Sequence, residues 1–206
     1  MGDKRTTRRD MRREATKVSV LEAAEAVFLR KGFAGTTIKI IADEAGVSPG
    51  TVLNAAPTKA ALLVAVLHNE ANRITESVEQ LEQALTSSAT DGVRALLQVI
   101  LEGQLRHTEL FAAALGHTWI EACEEFQAGF ETLGAFWHPV RRAVEAGLQS
   151  GEFRSDLKAD AVMPLLEDIM ASAIREAAKQ GGMNPQTTLS ARLDVLMPGL
   201  KGLRAA

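Results

Sequence analysis

Ser48, Gly50, Thr51 and Asn54 stand close together on a segment that begins with a helix-start signal, Ser48-Pro49, in which a side-chain acceptor is followed by a residue with preset helical φ. Short polar side chains on the first turns of a short helix can reach base edges in the DNA major groove. Asn54 is the sharpest candidate, because a carboxamide can pair bidentately with adenine. An equally open reading makes Asn54 a helix C-cap before the Ala55-Ala56-Pro57 stop. Lys39 and Lys59 suit phosphate contacts, since a flexible point charge adds affinity without reading sequence.

These residues need a scaffold, and the surrounding segment, Thr37 to Thr58, supplies one. Ala42 is small enough to lie under a crossing helix, and Gly46 can take the positive φ of a tight turn. Ile41, Ala45, Val47 and Val52 fill the space between two short helices. Charge follows the same division. Residues 1–59 hold eleven Lys and Arg against seven Asp and Glu, whereas residues 60–206 hold twelve against nineteen. The basic end opens on Lys4, Arg5, Arg8, Arg9, Arg12, Arg13 and Lys17, a run that can attract phosphates or remain a solvated tail.

Helical apolar spacing recurs along the chain and strand-like alternation is absent, so the fold class is all-α, with about nine helices. A first helix ends near Lys31 at Gly32. A long helix runs from Lys59, capped by Thr58, to about Leu85, and can bridge two domains. Further helices follow from Val93, from Thr108, and from Thr118 to Leu148 with a kink at Pro139. A turn over Gly151–Asp156 precedes two last helices, starting near Lys158 and at Asn184-Pro185. The expected division is residues 1–58, a helix-turn-helix domain with a basic arm, and residues 59–206, a larger helical domain.

The segment VLEAAEAVFLRKGFAGTTIKIIADEAGVSPGTVLNAAPTKAALLVAVL, residues 20–67, resembles the DNA-binding domain of the tetracycline-repressor (TetR) family of bacterial regulators. The signs are the first helix with its AA and F, the TT that includes Thr37, then IADEAGVS, GT, and TKxALL. GEFRSDL at 151–157 is similar to a turn these proteins place before their dimer helices. The resemblance implies double-stranded DNA as partner, with Thr37, Lys39, Ser48, Gly50, Thr51, Asn54 and Lys59 in the interface. It also implies a small-molecule effector in the larger domain, and a homodimer through the last two helices. One departure stands out: Val52-Leu53-Asn54-Ala55-Ala56 replaces the aromatic-rich end common in the family, so the rings and their phosphate-binding hydroxyl are missing. The basic arm and Lys59 would then carry more of the affinity.

For a partly apolar effector the candidates are His107, Phe111, Trp119, Phe126, Phe130 and Trp137, with Phe136, Glu109 and His117 nearby. For the dimer they are Val162, Leu165, Leu166 and Ile169, with the leucine seam Leu189, Leu193, Leu196 and Leu200. Enzymatic motifs are absent: there is no phosphate-cradling glycine loop and no nucleophile elbow. The four histidines lack metal-ligand spacing, and Cys123 reads as a packing residue, so no cofactor and no metal are expected. No apolar run reaches the ~20 residues of a membrane span, which leaves the cytoplasm as the expected location. The sequence expectation is a ligand-responsive repressor released from a palindromic operator. The alternative is a helical dimeric interaction protein that has lost specific DNA binding.

Overall fold

The computed structural model describes residues 8–120, 133–179 and 181–201, which hold nine α-helices and one 3-10 turn. In chain order the helices are α1 (Arg8–Lys31), α2 (Ile38–Ala45), α3 (Pro49–Ala55), α4 (Lys59–Ala84), α5 (Ala89–Leu105), α6 (Thr108–Ile120), α7 (Trp137–Gln149), α8 (Ala159–Ala178) and α9 (Pro185–Leu200). The 3-10 turn, Gly134–Phe136, leads into α7.

The first three helices form a small bundle around Val20, Val27, Phe28, Ile41, Ala42 and Val52, all fully buried. Local chemistry sets their ends. Gly32 closes α1 with φ 69°, donating to the Phe28 carbonyl at 2.8 Å. Thr37 caps α2 by accepting from Ile40 N at 3.3 Å, and Gly46 ends that helix with φ 65°. Ser48 caps α3 by accepting from Thr51 N at 3.2 Å. An L side chain is strained in the left-handed region, so glycine at position 46 is what lets α2 and α3 cross so closely.

Helix α4 starts at this bundle and runs on into the larger domain. Thr58 caps it, accepting from Ala61 N at 3.0 Å, and Leu62, Leu63, Leu67, Ala71, Ile74 and Val78 form its buried stripe. Its first part packs on α1, its later part on α5, α6 and α7. The contact with α5 is close because residue 103 is glycine: a Cβ there would lie 2.9 Å from Ile74 Cδ1. The two domains therefore share one helix and have no loop linker.

The turn after α7 explains the GEFRSDL segment. Glu152 reaches the start of α5, accepting from Ala89 N at 2.7 Å, Thr90 N at 2.9 Å and the Thr90 hydroxyl at 2.5 Å. Burial pushes its carboxyl pKa up, but the hydrogen bonds from Thr90 and Ala89, helped by Lys201, pull harder and hold it below the usual glutamate range. Phe153 is buried against Gly147, where a Cβ would stand 2.5 Å from the ring edge. Arg154 N donates to Leu200 O at 2.8 Å, so this turn ties α5, α7 and the end of α9 together.

Two local expectations change. Residues from Arg8 onward are the exposed first turns of α1, not a tail. Pro139 does not kink a running helix; it occupies the first turn of α7, where a missing N–H leaves no hydrogen bond unmade. Among the described residues no single helix is long and apolar enough to cross a membrane.

Candidate functional site

Helix α3 presents a short, open surface. Ser48, Gly50, Leu53 and Asn54 are exposed and Thr51 is half-buried, while Val52 faces the core. The Ser48 and Thr51 hydroxyls are 2.9 Å apart. The C-cap of α3 is Ala56, whose N–H bonds to Val52 O, and among the described residues the Asn54 carboxamide has no hydrogen-bond partner. Of the two sequence readings of Asn54, capping finds no partner, and the side chain is free for an external group. Thr37 and Lys39 are exposed at the start of α2. The Thr37 hydroxyl is committed to its cap.

Beside α3 runs the exposed start of α1. Arg9, Arg13 and Lys17, spaced four apart, share a trough with Thr51 and Asn54, together with Asp10 and Glu14. Four-residue spacing stacks the three cations along one helix face. The basic run is thereby held in rigid register with the candidate reading residues.

Lys59 is a correction. Its ammonium donates to the carbonyls of Phe33 at 2.9 Å and Thr36 at 3.0 Å, and lies 4.3 Å from the centre of the Phe33 ring. Two of its three donors are spent inside the domain, fastening α4 to the loop before α2, so its part is structural.

The larger domain contains a cavity of about 230 Å³ among α5, α6, α7 and α8. Phe111, Leu115, Leu133, Phe136, Met170 and Ala171 make its apolar wall, and Trp137, Gln104, Glu167 and Asp168 also line it. Of the expected effector residues, Phe111 and Trp137 are here. His107 is not: its Nε2 is 3.9 Å from the Glu25 carboxylate of α1, in a polar junction with Glu70 and Arg73. The position at the α5–α6 corner aims it at the small bundle. Glu70, 4% exposed, pairs there with Arg73 at 3.2 Å and Arg106 at 3.4 Å. Trp119 belongs to α6, with a side chain outside the description; Phe126 and Phe130 lie outside the described residues.

Residues 20–66 match the model of the "Bacterial regulatory proteins, tetR family". This is the span of the helix-turn-helix just described, and structures of whole TetR regulators cover the rest. The Thermus thermophilus repressor FadR in complex with lauroyl-CoA covers 92% of this chain and 98% of its own, at 25% identity and a TM-score of 0.75. Residues 20–66 match the TetR family's DNA-binding domain, and the whole chain has the fold of TetR regulators. FadR from Bacillus subtilis in complex with stearoyl-CoA shares the fold, with a TM-score of 0.71, 17% identity, and 89% and 98% of the two chains covered. The HTH-type transcriptional repressor KstR2 of Rhodococcus jostii (strain RHA1) is 24% identical over 186 residues, 89% of this chain and 90% of that protein.

The chain departs from the family pattern at the end of α3, where Val52-Leu53-Asn54-Ala55-Ala56 stands. Ala56 is 5% exposed and belongs to the buried core with Val52, so an alanine fills the core position at the end of α3. For the dimer, most of the expected residues are corrected. Val162, Leu166, Leu189, Leu193 and Leu200 are buried inside the chain, because α8 and α9 turn their leucine faces toward each other and toward α5. Leu165 is 47% exposed and Ile169 and Leu196 are half-buried; Val195, absent from the expectation, is 82% exposed. Also missed were Gln104, Glu167 and Asp168 in the cavity, polar residues on helices whose spacing reads as ordinary solvated faces. No cluster of three potential metal-ligating side chains occurs among the described residues.

Proposed function

We propose that this TetR regulator is a homodimeric repressor that binds a palindromic operator and is released by a small, largely apolar molecule. The observation that carries the reading is the juxtaposition of Thr51 and Asn54 on α3, next to the exposed Ser48, with the Arg9, Arg13 and Lys17 face of α1. Base reading and phosphate attraction then come from one rigid surface, and the α1 face stands in for the missing aromatic hydroxyl. The similar repressors support the sign of regulation, and lauroyl-CoA in the Thermus FadR supports an effector with an apolar body.

The effector site is the cavity of about 230 Å³, which lies on the domain that α4 joins to the helix-turn-helix. Release works by population: the effector frees the operator only to the extent that it binds the non-binding arrangement more tightly. The second copy covers Leu165 and Ile169 of α8 with Val195 and Leu196 of α9, setting two recognition helices about one DNA turn, ~34 Å, apart. The regulator acts in the cytoplasm, with its operator.

The test is selection of genomic fragments by the purified protein, followed by footprinting. The expected result is a palindrome whose half-sites are centred one helical turn apart. No enriched sequence would leave the interaction protein as the better account.

A further inference from the structure

The cavity among α5, α6, α7 and α8 has a mostly apolar wall, with one buried amide and two exposed carboxylates among its lining groups. Gln104 is 6% exposed, and its buried Oε1 accepts no hydrogen bond. Buried amides in folded chains are nearly always paired, so an orphan lining a cavity marks a place for a ligand group. Glu167 and Asp168 stand beside each other on α8 at the same cavity. Among the described residues neither carboxylate has a cation within ion-pair distance. Arg141, whose charge is felt by Glu167, is held by Asp160 at 2.7 Å. Burial raises the Glu167 pKa, with Arg141 opposing it and Asp168 adding to it. No Lys, Arg or His is among the described lining residues.

Resting on the reading of this cavity as the effector site, we infer that its ligand is an apolar molecule ending in an amine or hydroxyl, and that anionic ends, acyl-CoA included, are excluded. Ionised carboxylates only accept hydrogen bonds, so Glu167 and Asp168 select a donor. The Gln104 amide can present either end and serves any polar atom placed deeper. A cationic or hydroxyl end placed between the two carboxylates gains what a carboxylate or pyrophosphate there would lose, because Arg141, the cation that acts on Glu167, is already paired with Asp160. The Thermus and Bacillus FadR structures hold acyl-CoA; by this inference the present chain shares their fold and not their ligand class.

The test compares octylamine, octanol, octanoate and octanoyl-CoA, which share one apolar body. Binding is followed by Trp137 fluorescence, with Trp137→Phe assigning the signal, and operator release is measured in parallel. The amine and the alcohol are expected to bind at least about tenfold more tightly than octanoate and octanoyl-CoA, as charges a few ångströms apart at a protein surface require. In the Glu167→Gln, Asp168→Asn double variant the gap between amine and octanoate is expected to shrink below about threefold. In the unaltered protein, acidification toward about pH 4 should weaken octylamine and leave octanol unchanged. Octanoyl-CoA or octanoate binding as tightly as octanol would overturn the inference, as would an amine preference that survives the double change. If all four probes bind and release DNA alike, the effector cavity stands and the selectivity alone fails. If DNA is released without any change at Trp137, the cavity reading itself fails.

Discussion

Replacing Lys59 with methionine keeps the aliphatic stem and removes the charge, which separates two roles the sequence cannot distinguish. In the structure the ammonium donates to Phe33 O at 2.9 Å and Thr36 O at 3.0 Å. A hydrogen bond from a charged donor contributes about 1.5–3 kcal/mol. The contact over the Phe33 ring at 4.3 Å adds about 0.5–1 kcal/mol. Lys59 is only half-buried, so water recovers part of this, and we expect a net loss of about 2–3 kcal/mol. With a urea slope of about 2–3 kcal/mol per molar for a chain of this size, the unfolding midpoint should fall by about 1 M. Operator binding, measured by fluorescence anisotropy across a salt series under conditions where the variant is folded, should keep its slope. A phosphate-binding lysine behaves in the opposite way: stability is unchanged and the slope of log affinity against log salt drops by about one. That second pattern would refute the structural assignment of Lys59.

Glu152→Ala should lower stability by about 0.5–2 kcal/mol at neutral pH, since it removes the acceptor of the Ala89 and Thr90 amides in the first turn of α5. Because the folded carboxyl sits below its unfolded value, its stabilisation is fully present above the unfolded glutamate pKa and is lost as pH falls through the folded one. The difference between wild type and variant should therefore shrink in acid, as urea titrations at several pH values will read. Gly147→Ala drives a methyl into Phe153 and to within 2.9 Å of the Ala89 Cβ, and should cost about 1–3 kcal/mol by thermal unfolding. Asn54→Ala is expected to flatten sequence preference in competition binding, whereas Arg13→Ala should weaken all sequences alike and lower the salt slope by about one. Introducing charge at the exposed face, Leu165→Lys with Val195→Asp, should yield monomers in sedimentation with unfolding little changed.

What the residues disclose in advance follows from the range of the forces involved. Caps at Ser48, Thr58 and Asn184 each bind an amide three residues on, so their chemistry is complete within one turn and can be read from the chain. The turn at Gly46 is equally local. Lys59 finds its acceptors 26 and 23 residues away, at carbonyls that no pattern advertises. The leucine seam reads from the sequence as a dimer face, but periodicity reports only that a face is covered, not by what. Leu189 and Leu193 are covered by their own chain. The cavity was the least legible feature, because Gln104, Phe111, Trp137 and Glu167 come from four helices and meet only after packing.

The shared helix α4 has a mechanical consequence. At 26 residues it is roughly 39 Å long, and Lys59 clamps its first turn to the loop before α2. Such a rod is a lever with gain. Pivoting by about 4° around its far end swings the reading surface by roughly 3 Å, well beyond the few tenths of an ångström that a base-edge hydrogen bond tolerates. Sub-ångström repacking against the middle of the rod is thus enough to break register with the groove, and stiffness, not looseness, is what the joint between the domains requires.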